Sequence, residues 1–172
     1  MAYQLLDMAL LKGEEANYQD FFAASLFEQS EKIMHVRSLE KNINLSYSTL
    51  ENFLMRGNRE QLLILLNNLI DNALKASSPE GDVEVSVYGE GQGIVMEVRD
   101  YGMGMEPEHI SHIKEAFYRV DKSRSRAGGG TGLGLAICER IAQLHHAKLT
   151  FVSERGKGTI VRLQIPHITG ST

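Results

Sequence analysis

The sequence has one cysteine, Cys138. That excludes an intramolecular disulfide framework and a cysteine-built zinc site, and it suits a reducing compartment. Positive charge is not in surplus: 18 basic residues face 22 acidic ones, for a formal net charge of -4. General nucleic-acid binding needs a basic footprint and is disfavoured. Long apolar runs are missing too. The longest, residues 62–66 (LLILL), falls far short of the roughly 20 residues that cross a bilayer as a helix. Residues 1–11 lack a basic start and carry Asp7, so no secretory leader is expected there. No G-K-[ST] triplet closes a glycine-rich stretch, which excludes a Walker-type phosphate loop.

What is present is a 172-residue chain, 42 % apolar and 23 % charged, with 16 glycines. One soluble globular domain with a real core is expected. Residues 1–18 read as a helix that breaks near Gly13. Residues 20–41 read as a full helix with Phe22, Leu26, Ile33 and Val36 along one stripe. Residues 42–50 look extended, and residues 53–55 read as a second short strand. Asn58 suits the N-cap of a helix over 60–76. Val83, Val85 and Val87, then Ile94, Met96 and Val98, alternate with polar partners as two strands joined at a glycine turn. A short helix is expected over 107–115. Residues 119–131 are basic, then glycine-rich, and read as a mobile loop. Leu133, Ile137, Ile141 and Leu144 share a helical face, and residues 149–165 form a terminal hairpin. This order predicts an α+β, two-layer sandwich: a mixed sheet with helices on one face.

Four segments carry candidate chemistry. In the 60–76 helix, Asn68, Asn72 and Lys75 recur at helical spacing and share a face. Carboxamide oxygens are hard ligands, and an ammonium is a point charge, so this face suits hydrated Mg²⁺ and phosphate. A solvated polar stripe is the plainer reading. Asp100-Tyr101-Gly102-Met103-Gly104 follows a strand directly. A strand-end carboxylate can accept from an exocyclic amine, and glycines let backbone approach a flat ligand. An ordinary Asp/Gly turn reads equally from the residues. Residues 128–135 (GGGTGLGL) open a helix, where amide N–H groups and the helix dipole attract anions. Arg119, Lys122, Arg124 and Arg126, against Asp121, leave +3 of charge just upstream. Together the four make one nucleotide site.

The segments NNLIDNALKAS (67–77), RDYGMGM (99–105), EAFYRVDKSRSR (115–126), GGGTGLGLAICERIAQLH (128–145) and GKGTIVRLQIP (156–166) together resemble the catalytic and ATP-binding domain of bacterial sensor histidine kinases. The resemblance covers about residues 20–166, and its superfamily includes DNA gyrase, Hsp90 and MutL. It implies the Bergerat ATP-binding fold: a mixed five-stranded sheet under three helices, with ATP beneath a lid. It implies that Asn68 and Asn72 form the N box, with Asn72 the Mg²⁺ ligand and Lys75 near the phosphates. Asp100 would take the adenine amine, with Gly102, Gly104 and Met105 shaping that pocket. Phe117 would anchor the lid, followed by Tyr118 and Arg119. Arg119, Lys122 and Arg124 would reach phosphate. Gly130, Thr131, Gly132, Gly134 and Leu135 would offer backbone around it, with Leu133 capping the lid. Thr159 would sit by the purine.

The resemblance also implies partners: a dimerisation and phosphoacceptor hairpin, and a response regulator downstream. The family accepts phosphate on a histidine within H-[DE]-x-[RK]-[TN]-P, and none of the six histidines here has that context. The chain therefore reads as part of a longer kinase. Residues 1–18 would be the tail of the hairpin's second helix, 19–168 the catalytic domain, and 169–172 a disordered tail. A cytoplasmic location and no direct contact with membrane or nucleic acid are expected. The family often has an aromatic residue where Ala76 stands, so a more open pocket is expected. Two other readings stay open: an anti-sigma-factor-type serine kinase, and a pseudo-kinase that binds nucleotide or a partner without transfer. Cys138 reads as packing, and His145-His146 as a helix end.

Overall fold

The computed structural model describes residues 17–49, 51–91, 93–115, 118 and 132–166. In chain order the elements are β1 (Gln19–Phe22), α1 (Ala23–Glu40), β2 (Asn44–Thr49), β3 (Leu54–Gly57), α2 (Arg59–Ala76), β4 (Asp82–Glu90) and β5 (Gly93–Asp100). They continue with α3 (Pro107–Ile110), α4 (Gly134–Leu144), β6 (Lys148–Glu154) and β7 (Gly158–Pro166). Five strands form one mixed sheet in the order β2-β4-β5-β7-β6. Only the β2–β4 pair is parallel; the other three are antiparallel. The expected α+β sandwich with a five-stranded mixed sheet is what the chain adopts.

Alternation fixes which sheet face is covered. Val83, Val85 and Val87 of β4, Ile94, Met96 and Val98 of β5, and Leu163 and Ile165 of β7 all join one core. Against them lies α2, with α1 and α4 on either side. Asn58 caps α2 as expected, its side chain accepting from the Gln61 N–H at 3.1 Å. The helix then buries Leu62, Leu65, Leu66, Leu69, Ile70, Ala73 and Leu74. Ser77 stops it by turning extended, and Pro79 cannot resume it.

Three expectations are corrected. Residues 20–22 are not helical. They belong to β1, which pairs antiparallel with β3, Phe22 opposite Leu54. The face of α1 is also different: Ala23, Leu26, Phe27, Ser30, Met34 and Ser38 are buried, while Phe22, Ile33 and Val36 are about half exposed. Ser30, fully buried on that face, donates to Asn67 Oδ1 at 2.7 Å. The helix after Pro107 is also short, ending at Ile110 and continuing as turns.

Candidate functional site

A cavity of about 330 Å³ opens between α2 and the sheet, bounded by the loop after β5 and the start of α4. Its floor holds Asp100, the last residue of β5 and only 5 % exposed. Register places Thr159 of β7 directly opposite. One carboxylate oxygen accepts from the Gly102 N–H at 2.9 Å. Burial pushes the Asp100 carboxyl above the usual carboxylate range, and the N–H groups of Gly102 and Thr159 pull it back in part.

The loop after Asp100 is stapled on both sides. Met103 N–H donates to Ala76 O at the end of α2, and Gly156 N–H donates to Met103 O. Met105 N–H donates to Ser153 Oγ at 2.9 Å. Only glycine fits this course. A Cβ on Gly102 would lie 2.2 Å from Ala76 O, and one on Gly104, whose φ is +61°, would lie 1.9 Å from Glu154 O. The D-x-G-x-G spacing is therefore a packing requirement, whatever else it serves.

On α2, Asn68, Asp71, Asn72 and Lys75 all line the cavity. Asn68 donates Nδ2 to Ile64 O at 2.9 Å, which turns its carboxamide oxygen toward Gly134, the first residue of α4. Lys75 Nζ lies 2.5 Å from Asp71 Oδ2, and Arg37 of α1 reaches Asp71 Oδ1 at 2.8 Å. The start of α4 faces the same space through Gly132, Gly134 and Leu135. A helix's first-turn amides are its anion-attracting end. Across the cavity Tyr118 forms a wall, its hydroxyl 2.7 Å from His109 Nδ1.

Of the residues named from sequence, Asn68, Asn72, Lys75, Asp100, Gly104, Met105, Tyr118, Gly132, Gly134, Leu135 and Thr159 converge on this one cavity. Gly102 shapes the loop behind Asp100, and Leu133 is buried in the core. Phe117, Arg119, Lys122, Arg124, Gly130 and Thr131 lie outside the described residues, as does most of the 1–18 segment. Sequence reasoning missed the apolar walls: Leu69, Val98, Ile113, Phe151 and Val161. Their signal is the strand alternation itself, which aims Val98, Phe151 and Val161 toward the helices. It also left Asp71 without a role, although Asp71 sits on the same helical face. Ala76 does line the cavity, and Cys138 is buried packing, its thiol donating to Leu65 O and pushed up by burial.

The sequence model of the histidine kinase-, DNA gyrase B-, and HSP90-like ATPase family matches residues 57–169, well over half the chain. The chain belongs to that family. Family membership implies ATP binding. A similar protein is the sensor histidine kinase YkoH of Bacillus subtilis, 35 % identical over 164 residues, covering 95 % of this chain and 36 % of YkoH. Another is the sensor histidine kinase RppB of Synechocystis, 43 % identical over 110 residues, covering 64 % of this chain and 24 % of RppB. The chain thus spans about a quarter to a third of the curated relatives it matches. Among solved structures, full-length ShkA in complex with AMPPNP superposes with a TM-score of 0.80 at 25 % identity, covering 98 % of this chain and 35 % of ShkA. The catalytic domain of histidine kinase ThkA superposes at 0.76 with 21 % identity, covering 87 % and 95 %. This is an ATPase domain of the kind found in sensor histidine kinases. Among the described residues no helix is long and apolar enough to cross a membrane.

Proposed function

We propose that this domain binds Mg-ATP in the cavity and transfers the γ-phosphoryl group to a histidine on a helical hairpin of the full-length kinase, for onward passage to a response regulator. The observation that carries the reading is convergence. A buried acceptor at Asp100, a carboxamide-and-ammonium face on α2, and the start of α4 all meet one 330 Å³ space.

The adenine amine donates to Asp100, and Val98, Ile113 and Phe151 supply apolar surface for the base. The polyphosphate runs along α2 toward α4, where Lys75 and the first-turn amides offset its charge. Hard oxygens suit Mg²⁺, and those on the α2 side of the cavity are the carboxamides of Asn68 and Asn72 and the carboxylate of Asp71, the last already held by Arg37 and Lys75; among the described residues no cluster of three or more His, Cys, Asp or Glu competes for the ion. Asn72, beside Asn68, would hold the ion. When bound, it supplies charge neutralisation between phosphate groups. The attacking group is the hairpin's imidazole nitrogen. It forms the new N–P bond as the bond to the ADP oxygen breaks, a reaction governed by positioning and charge. Asn68 cannot take a proton from water as a carboxylate would. By the resemblance, Phe117, Arg119, Lys122, Arg124, Gly130 and Thr131 complete the lid, and residues 1–18 join the hairpin to a catalytic domain over 19–168. The full-length protein would present this domain to the cytoplasm. Relatives named as sensor histidine kinases favour this over a serine kinase.

Calorimetric titration of ADP and a non-hydrolysable ATP analogue, with and without Mg²⁺, tests the reading. Micromolar, Mg²⁺-assisted binding by the wild type, lost in Asp100→Asn, is the expected result. A folded wild type that binds neither nucleotide overturns it.

A further inference from the structure

Asp71 is the polar residue of the α2 cavity face to which the mechanism assigns no contact with nucleotide or ion, and it is held from two sides. Oδ2 takes Lys75 Nζ at 2.5 Å, and Oδ1 takes Arg37 Nη1 at 2.8 Å. The side chains are 20 % exposed for Asp71, 34 % for Lys75 and 55 % for Arg37. Asp71 and Lys75 line the cavity, whereas Arg37 sits in the last turn of α1, outside it. One carboxylate therefore holds two cations, and only one of them, Lys75, lines the cavity.

We propose that Arg37 is a positioning residue for nucleotide binding: it neutralises Asp71 so that Lys75 can leave that carboxylate for the polyphosphate. The inference rests on the cavity being the nucleotide site. In the ligand-free arrangement Asp71 competes with any incoming phosphate for the Lys75 ammonium. Once Lys75 turns to the ligand, Asp71 would face the polyphosphate as a partly buried carboxylate. Like charges in that setting repel more strongly than in water. Arg37 remains on Oδ1 throughout and cancels the repulsion. A guanidinium suits this post, since it stays charged and holds a carboxylate oxygen in fixed geometry. Without Arg37, Asp71 would grip Lys75 more tightly and repel the ligand more strongly, so both effects weaken binding. Without Asp71, Arg37 has nothing to neutralise.

The test is a double-mutant cycle read by calorimetric titration of Mg-ADP: wild type, Arg37→Gln, Asp71→Asn, and the two combined, each checked for a native circular dichroism spectrum. Arg37→Gln is expected to weaken binding by about threefold or more. Asp71→Asn is expected to bind at least as tightly as wild type. Adding Arg37→Gln to Asp71→Asn should then change nothing, and that rescue is what a general structural role for Arg37 would not produce. Unchanged affinity in Arg37→Gln, or equal weakening in both backgrounds, overturns the inference while leaving the nucleotide site intact. A wild type that does not bind, or binds as Asp100→Asn does, overturns the nucleotide reading and this inference with it.

Discussion

On the proposed reading, Asp100 would serve binding at the expense of the fold. Its carboxylate is buried, and burial raises its pKa above that of an unfolded chain. The unfolded state therefore loses its proton at lower pH than the folded state. The penalty is absent below the unfolded value, grows as pH rises through the folded value, and is fully present at neutral pH. Asp100→Asn keeps an oxygen for the Gly102 N–H but carries no charge. It should lose nucleotide affinity, yet resist urea at pH 7 at least as well as wild type, with a flatter dependence on pH between 3 and 7. Gly104 behaves oppositely. Its positive φ and the 1.9 Å approach to Glu154 O leave no room for a methyl group. Gly104→Ala should cost about 3 kcal/mol in urea unfolding, with nucleotide binding lost alongside.

The helices that carry the site are joined at their far ends by His145. Its Nδ1–H donates to Ile141 O at 2.8 Å, and its Nε2 accepts from the Asn58 N–H at the start of α2. Tyr18 stacks on the ring at 5.0 Å and donates its hydroxyl to Leu144 O. The bond from the Asn58 N–H requires an unprotonated Nε2 and is lost in the imidazolium, whereas Nδ1–H donates to Ile141 O in either state; burial pushes the pKa of the ring below 6.5. The contribution is fully present above that value and fades as pH falls through it toward the folded pKa. Wild type should lose urea resistance between pH 8 and pH 5.5. His145→Gln should be less stable at pH 8 by about 2 kcal/mol and should lose less on acidification.

For the molecule as a whole, the proposed function divides the chemistry between what this chain holds and what would come to it. No acceptor motif lies in the sequence, and Asn68 offers no base for water. The isolated chain should therefore turn over ATP slowly, well under the usual enzymatic range of about 1 per second and upward. Radiolabel from γ-labelled ATP should pass to a phosphoacceptor hairpin supplied in trans, and acid treatment should release it, as expected of a phosphohistidine. Rapid hydrolysis by the chain alone would contradict this division.

Several features were legible without coordinates because the physics behind them is local. Asn58 caps α2 through atoms three residues apart. The valines of β4 alternate because a strand does. The glycines after Asp100 announce a backbone that no other residue could follow. The grouping of Asn68, Asp100 and Gly134 was legible only from the joint text of several motifs. Other features depend on contacts between distant segments. The β1–β3 pair joins residues more than 30 positions apart, so residues 20–22 read as helix until a partner strand is in place. The buried face of α1 is set by what it meets: Ser30 is buried where it donates to Asn67 of α2, while Ile33 is left about half exposed. Arg37 meets Asp71, and His145 meets Asn58, across 34 and 87 positions. Local sequence sets the preferences of each segment over a few neighbours. Which surfaces meet depends on the packing of the whole chain, and that packing turns a polar helical stripe into the wall of a site.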